Sequence, residues 1–118
     1  MEECIFCKII RGEIPFEKVF ESDNFLCILD NYPIAEGHTL IISKKHFETI
    51  LDMPSDLGGE FLNCVREISS KFTKEKKAEG FNLMQNNYSA AQQEIPHLHF
   101  HFVPRKKNDG LKFRFKNS

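Results

Sequence analysis

His97, His99 and His101 recur at every second position of the run His97-Leu98-His99-Phe100-His101. In an extended strand this period puts the three imidazoles on one face and Leu98, Phe100 and Phe102 on the other, whereas a helix would scatter them. Alternate imidazoles on a strand face stand about 6.5–7 Å apart, too far to bond one another directly but close enough to surround one bound group. A neutral imidazole is a competent nucleophile toward phosphorus when its neighbours fix its tautomer and stabilise charge on the phosphoryl oxygens. His99 has such neighbours on both sides and is the candidate nucleophile. His101 and the distant His38 are candidates to donate to phosphate oxygens or to support the nucleophile. The segment Asn86–Gln93 offers backbone and polar groups for an oxyanion cradle. The same stripe could also serve as a polar strand face or hold a metal ion.

Cys4 and Cys7 form a C-x-x-C pair, whose two thiolates can grip one metal ion or act as a redox dithiol. Cys27 and Cys64 lie in apolar segments and read as small core residues. The start, Met1-Glu2-Glu3-Cys4, is acidic and leads into no long apolar segment. That pattern is expected of a protein of the cytoplasm or nucleus, where cysteines are thiols or metal ligands before they are disulfides. No run approaches membrane-spanning length, so no membrane partner is expected. A net charge of −1 supplies no global field for nucleic acid or anionic lipid, so a phosphate ligand must be bound locally. At 118 residues, 41% of them hydrophobic and twelve of them phenylalanine, the chain suits one compact domain.

The elements that must position these groups can be read from periodicity. A short helix is predicted over Ile5 to Arg11, and Gly12 and Pro15 lead into strands near Glu17 to Glu21 and Phe25 to Leu29. After Gly37, the run Thr39-Leu40-Ile41-Ile42 reads as a buried strand. Leu57, Phe61, Val65, Ile68 and Phe72 recur at steps of four, four, three and four, the stripe of an amphipathic helix. Ser55 is its expected N-cap, Lys74, Lys76 and Lys77 suit its negative end, and Gly80 is expected to close it. Phe81 to Gln85 and His97 to Val103 read as strands joined by a polar loop. The expected fold is α+β, an antiparallel sheet with one long helix on one face and a short N-terminal helix. Residues 1–104 form the single domain. Residues 105–118 form a basic tail with Arg105, Lys106, Lys107, Lys112, Arg114 and Lys116 against Asp109. It reads as a solvated run or, since Phe113 and Phe115 interleave, as a strand docking on a partner subunit or nucleic acid.

With H-x-H-x-H in place, the chain resembles the histidine-triad (HIT) family of nucleotide-binding proteins. The resemblance extends over most of the chain: Cys4-Ile5-Phe6-Cys7, Gly12-Glu13-Ile14-Pro15, Asp30 with Pro33, Gly37-His38-Thr39-Leu40, Lys45-His46, Asn86 and Gln93 fall where such proteins carry like residues. It implies a HIT-like fold in which the middle histidine, here His99, attacks an α-phosphate and becomes nucleotidylated before water releases the nucleotide. It gives His38, His97 and His101 the flanking catalytic roles. Ile5, Phe6, Ile9, Ile28 and Leu40 would wall the base pocket, Asp30 would take the ribose hydroxyls, and Asn86 and Gln93 would lie beside the nucleophile and the α-phosphate. Zinc-bearing members imply a structural zinc on Cys4, Cys7, His46 and His97, with no metal needed for the chemistry. The family also implies a homodimer.

The implied activity is hydrolysis of a phosphoramidate-type substrate to a purine nucleoside monophosphate such as AMP. The alternatives are a dinucleoside polyphosphate hydrolase and a nucleotide-binding scaffold with vestigial turnover. The family's loop pattern N-x-G-x-x-A-G-Q is altered here, with Tyr88 and Gln92 at the glycine positions, where glycine would permit φ > 0 or a close backbone approach to phosphate. Glu94 stands where some members carry a hydroxyl that assists the leaving group.

Overall fold

The computed structural model describes residues 4–113 and 115. Helix α1 (Ile5–Ile10) leads to strands β1 (Lys18–Glu21), β2 (Phe25–Leu29) and β3 (Thr39–Ser43). Two 3₁₀ turns, at Ile50–Asp52 and Ser55–Leu57, precede helix α2 (Gly58–Lys74). Strand β4 (Gly80–Met84), a 3₁₀ turn at Ser89–Ala91 and strand β5 (His99–Arg105) complete the chain. All strand pairs are antiparallel, in the order β1-β2-β3-β5-β4, so the fold is the expected α+β sheet with one long and one short helix. No helix among the described residues is long and apolar enough to cross a membrane.

Each face of the sheet carries its own cluster because successive strand residues point to opposite sides. Phe25, Cys27, Ile41, Leu98, Phe100 and Phe102 join Cys64, Val65, Ile68 and Phe72 of α2 in the larger core, so both buried cysteines are core residues. On the other face, Leu26, Ile28, Leu40 and Ile42 are covered by Phe6 and Ile9 of α1. His99 and His101 pair in register with Ile42 and Leu40, which puts their imidazoles on this second face. A six-residue helix cannot cover a five-stranded sheet, and the uncovered part is the site described below.

Several boundaries differ from the sequence reading for identifiable reasons. Strand β5 begins at His99, so His97 stands just outside the ladder. Ser55 makes no side-chain cap: the chain enters α2 through Pro54 and the 3₁₀ turn. The capping box sits earlier, where Thr49 and Asp52 satisfy each other's backbone N–H groups. Gly80 does not close α2 but opens β4. The helix stops in a Schellman motif around Lys76, left-handed at φ 57°, with Lys77 N–H donating to the Phe72 carbonyl at 2.8 Å and Lys76 N–H to that of Thr73 at 3.0 Å. A lysine fills a position for which glycine is the usual signal, which is why Gly80 was the natural reading.

The predicted tail boundary also shifts, because Arg105 is the last residue of β5. Its guanidinium bonds Asp109 at 2.7 and 2.8 Å and Asn82 at 2.7 Å, and it lies over the Phe113 ring at 5.4 Å from the centroid. The start of the basic segment is therefore folded back on the sheet rather than freely solvated. Arg114 and Lys116, like Met1 to Glu3, lie outside the described residues.

Candidate active site and metal centre

A cavity of about 490 Å³ opens on the face between α1, the β2–β3 connection and the Asn86–Gln93 segment. All ten residues carried over as nucleotide-binding line it: Ile5, Phe6 and Ile9 from α1, Ile28 and Asp30 from the end of β2, Leu40, His99 and His101 from the sheet, and Asn86 and Gln93 from the loop. His38 lines it too, whereas His97 does not. One side of the cavity is thus apolar and the other is imidazole, amide and carboxylate.

The tautomer of each histidine follows from its backbone partner, because a carbonyl can only accept and an N–H can only donate. His99 Nδ1 lies 2.7 Å from the His97 carbonyl oxygen, so Nδ1 carries the proton and Nε2 the lone pair. His97 Nε2 lies 2.6 Å from the Ser43 carbonyl oxygen, so its Nδ1 is the free base. His38 is set the other way: Ile34 N–H donates to its Nδ1 at 3.2 Å, which leaves the proton on Nε2. That Nε2–H donates to His101 Nδ1 at 3.0 Å, so His101 in turn carries its own proton on Nε2. Asp30 Oδ2 lies 3.6 Å from the same His38 Nε2, while Asp30 Oδ1 accepts the Tyr32 N–H at 2.9 Å.

Burial keeps these rings neutral. It pushes His101 down to about 4, with the neighbouring His99 and His38 adding to the effect and Asp30 opposing it. Burial likewise takes His97 to about 4 against its bond to the Ser43 carbonyl. His99 is lowered by burial, opposed by the His97 carbonyl and Asp30, and His38 is lowered by burial, opposed by Asp30. Near neutral pH, His99 Nε2 is therefore an unprotonated nitrogen at the foot of a cavity, its ring held edge-on against Phe6 with centroids 4.9 Å apart.

The turn before His38 depends on a missing side chain. Gly37 is left-handed at φ 84°, and a Cβ there would fall 2.8 Å from Cε1 of Phe72, so α2 presses on the segment that delivers His38. The cradle loop takes the backbone shape of the glycine pattern without the glycines: Tyr88 has φ 69° and ψ 158°, and Gln92 has φ 69° and ψ 28°. Gln93 holds that shape by accepting the Tyr88 N–H at 2.6 Å and donating to the carbonyls of Glu48 at 2.7 Å and Ile95 at 3.1 Å. Sequence reasoning missed Ile34 and Ser43, which act through backbone groups and leave no side-chain signature. It also missed Met84, which lines the cavity opposite His101 in the β4–β5 register.

Cys4, Cys7, His46 and His97 converge on a second centre, with one ligand atom from each lying within 4.8 Å of all the others. Cys4 Sγ and Cys7 Sγ lie 3.1 and 3.6 Å from His97 Nδ1, and Cys7 Sγ lies 3.3 Å from His46 Nδ1. Tetrahedral sulfur and nitrogen ligands at metal distances of about 2.3 and 2.0–2.1 Å stand roughly 3.5 Å apart, so the set fits one ion. His97, fully buried, presents its free Nδ1 to the thiols while its Nε2–H is anchored on a carbonyl, the usual outer-shell arrangement of a ligating histidine. The four residues can hold a metal.

Five antiparallel strands carrying a cluster of neutral histidines of fixed tautomer over a half-apolar cavity define an α+β protein whose sheet presents an unprotonated imidazole nitrogen. A HIT domain model matches residues 11–108, and the chain belongs to the HIT family. It is 45% identical over 109 residues to adenylylsulfatase HINT3 of Arabidopsis thaliana, covering 92% of this chain but only 55% of that protein. It therefore spans little more than half of this plant relative. Adenosine 5'-monophosphoramidase HNT1 of Saccharomyces cerevisiae is 43% identical over 103 residues, 87% of this chain and 63% of that one. Among solved structures, a HIT family protein from Bacillus anthracis superposes with a TM-score of 0.88 at 37% identity, covering 98% of this chain and 82% of its own. A zinc-bound histidine triad family protein from Mycobacterium smegmatis does so with a TM-score of 0.86 at 35% identity, covering 98% and 84%.

Proposed function

We propose that the protein is a nucleotide hydrolase that releases a purine nucleoside monophosphate, such as AMP, from a phosphoramidate-type substrate through a covalent nucleotidyl-His99 intermediate. The observation that carries the reading is the 2.7 Å contact of His99 Nδ1 with the His97 carbonyl, which leaves Nε2 unprotonated inside the cavity. Nε2 attacks the α-phosphorus, the phosphorus–nitrogen bond of the substrate breaks, and the leaving amine takes up a proton. His101, with its proton on Nε2, is the donor suited to a phosphoryl oxygen or to that amine, and His38 holds it in that tautomer. Water then attacks the nucleotidyl-histidine, and the nucleotide leaves. Asp30 is the acceptor for the ribose hydroxyls, and Ile5, Phe6, Ile9, Ile28 and Leu40 are the base wall. The yeast relative's name, adenosine 5'-monophosphoramidase, supports the phosphoramidate class, and the plant relative's, adenylylsulfatase, supports an adenylyl substrate more broadly.

The metal of the Cys4–Cys7–His46–His97 centre is zinc in this reading, since two thiolates and two imidazoles in a closed tetrahedral set suit a structural zinc ion. The zinc-bound mycobacterial neighbour supports that assignment. Bound there, it braces the segment that leads into His99. It takes no part at phosphorus, and His97 serves the reaction through its carbonyl. A homodimer is the expected assembly, and the edge strand β4 offers Phe81 and Leu83, both more than 40% exposed, as its contact.

The test is the His99→Ala variant, assayed beside the wild-type protein on an adenosine phosphoramidate, a dinucleoside polyphosphate and adenylyl sulfate. The expected outcome is fastest wild-type turnover of the phosphoramidate, an AMP adduct trapped on His99 and seen by mass spectrometry, and loss of turnover in the variant. Its AMP affinity should stay within about tenfold, because the apolar wall is untouched. Wild-type rates in the variant would overturn the mechanism, and no turnover of any substrate by the wild-type protein would favour a binding role.

A further inference from the structure

Asp30 stands where two demands meet. Its backbone N–H donates to the His38 carbonyl at 2.9 Å, which closes the loop that carries both residues. Its Oδ1 is occupied by the Tyr32 N–H, and its Oδ2 reaches to 3.6 Å from the His38 Nε2–H, whose principal acceptor is His101 Nδ1 at 3.0 Å. The His38 ring is 4% exposed and the Asp30 side chain 18%, so the carboxylate is the wetter partner of a buried ring. A carboxylate beside an imidazole N–H that is already donated elsewhere steadies the proton on that nitrogen and the charge that develops there. Its charge favours the protonated form at His38 and His101 alike, against burial.

We propose that Asp30, besides accepting the ribose, is a positioning residue for the phosphoryl step, its carboxylate holding His38 and through it the proton-bearing edge of His101. The proposal rests on the nucleotidyl-transfer reading above and adds to it a coupling. The group that recognises the sugar also steadies the donor at the phosphate, so remote binding energy is spent on the reacting centre. Nothing covalent happens at Asp30, and the proton it influences stays on His38 Nε2.

The roles separate when the Asp30→Asn variant is assayed on two substrates, an adenosine phosphoramidate and its 2',3'-dideoxy analogue. A residue that only accepted ribose hydroxyls would raise KM for the first substrate and leave the second unchanged, since the analogue has no hydroxyl for residue 30 to meet. The positioning role predicts a fall in kcat of about 10–100-fold on both substrates, the usual size of a lost outer partner. Unchanged kcat on the dideoxy substrate overturns it. Melting temperature and AMP affinity of the variant establish that it folds. A readout independent of turnover is the ¹⁵N spectrum of the histidine rings. The wild-type protein should show His38 as a fixed Nε2–H tautomer, and Asp30→Asn, which leaves the Ile34 N–H in place, should keep that tautomer while shifting the His38 Nε2–H and His101 ring resonances. Absence of wild-type turnover would sink the hydrolase reading alone, whereas an identical ring spectrum in the variant would sink the positioning role whatever the activity.

Discussion

Two clusters of ligand-type side chains meet around β5, and they are wired in opposite senses. In the Cys4–Cys7–His46–His97 group, the buried ring backs onto a carbonyl, so its proton is spent on Ser43 and its lone pair faces the thiols. In the Asp30–His38–His101 group, three ligand-type atoms also lie within 4.8 Å of one another, yet the buried ring backs onto the Ile34 N–H. There the lone pair is spent on the backbone and the proton points inward. A metal ion at His38 Nε2 would force that proton onto Nδ1, against a backbone donor. The first group is thus suited to hold a metal and the second to act as a hydrogen-bond relay, although their composition alone would let either be a metal site. What distinguishes them is one backbone atom behind each ring.

The contrast is broken most directly by disabling each group in turn. Replacing Cys4 and Cys7 by serine should take bound zinc from one per chain to none and lower the melting temperature by about 10 °C. That is the scale of losing a ligand present at a hundredfold its Kd, about 2.7 kcal/mol, in a domain of this size. Turnover per folded molecule should change by less than about tenfold if, as proposed, the metal takes no part at phosphorus. His38→Ala should do the reverse, keeping wild-type zinc and losing about 10–100-fold in kcat. Elemental analysis, melting curves and steady-state rates on the same preparations decide it. Zinc lost from His38→Ala would mean that the relay is a second metal site.

A smaller effect sharpens the relay's electrostatics. His101 titrates at about 4 in the folded protein and near 6.5 when unfolded, so between those values the unfolded chain binds more protons. Stability from this group is complete above about pH 6.5 and is lost as pH falls toward about 4, at up to about 1.4 kcal/mol per pH unit. Urea unfolding at pH 7, 6 and 5 should show that decline, and His101→Asn should lessen it while the share of the other buried histidines remains.

The smallest effect lies in the loop between the two groups, which Gln93 ties to Glu48. Tyr88, with φ 69° and ψ 158°, occupies a backbone region that is essentially glycine's alone. Tyr88→Gly should stabilise by about 1 kcal/mol, strain of about 1–3 kcal/mol being partly offset by glycine's chain entropy. Gln92→Gly, relieving a milder left-handed residue, should gain less. Thermal melts would register the first as a rise of about 4 °C, and no rise would place the strain elsewhere.

The sheet and both helices were legible in the sequence because they rest on side-chain periodicity, and the histidine stripe because its residues carry their own chemistry, whereas the apolar lining of the cavity followed only from the resemblance to the HIT family. The helix ends were not. Lys76 does the work expected of Gly80, since tertiary contacts can hold a non-glycine at positive φ, whereas α2 begins without the side-chain cap expected of Ser55, being entered through a 3₁₀ turn. The period of two correctly separated His99 and His101 from Leu98, Phe100 and Phe102, but it did not show that His97 precedes the ladder and faces the thiols. Nor could it show which nitrogen of each ring is free. That depends on Ser43, Ile34 and the His97 carbonyl, main-chain atoms common to every residue type.

Helix α1 has a consequence for anyone who would redesign the pocket. Its six residues and their N-cap spend Cys4 and Cys7 on one side and Ile5, Phe6 and Ile9 on the other. A change of register or tilt that made room for a bulkier base would carry the thiols out of reach of His97, so ligand preference and metal retention cannot be engineered as independent modules.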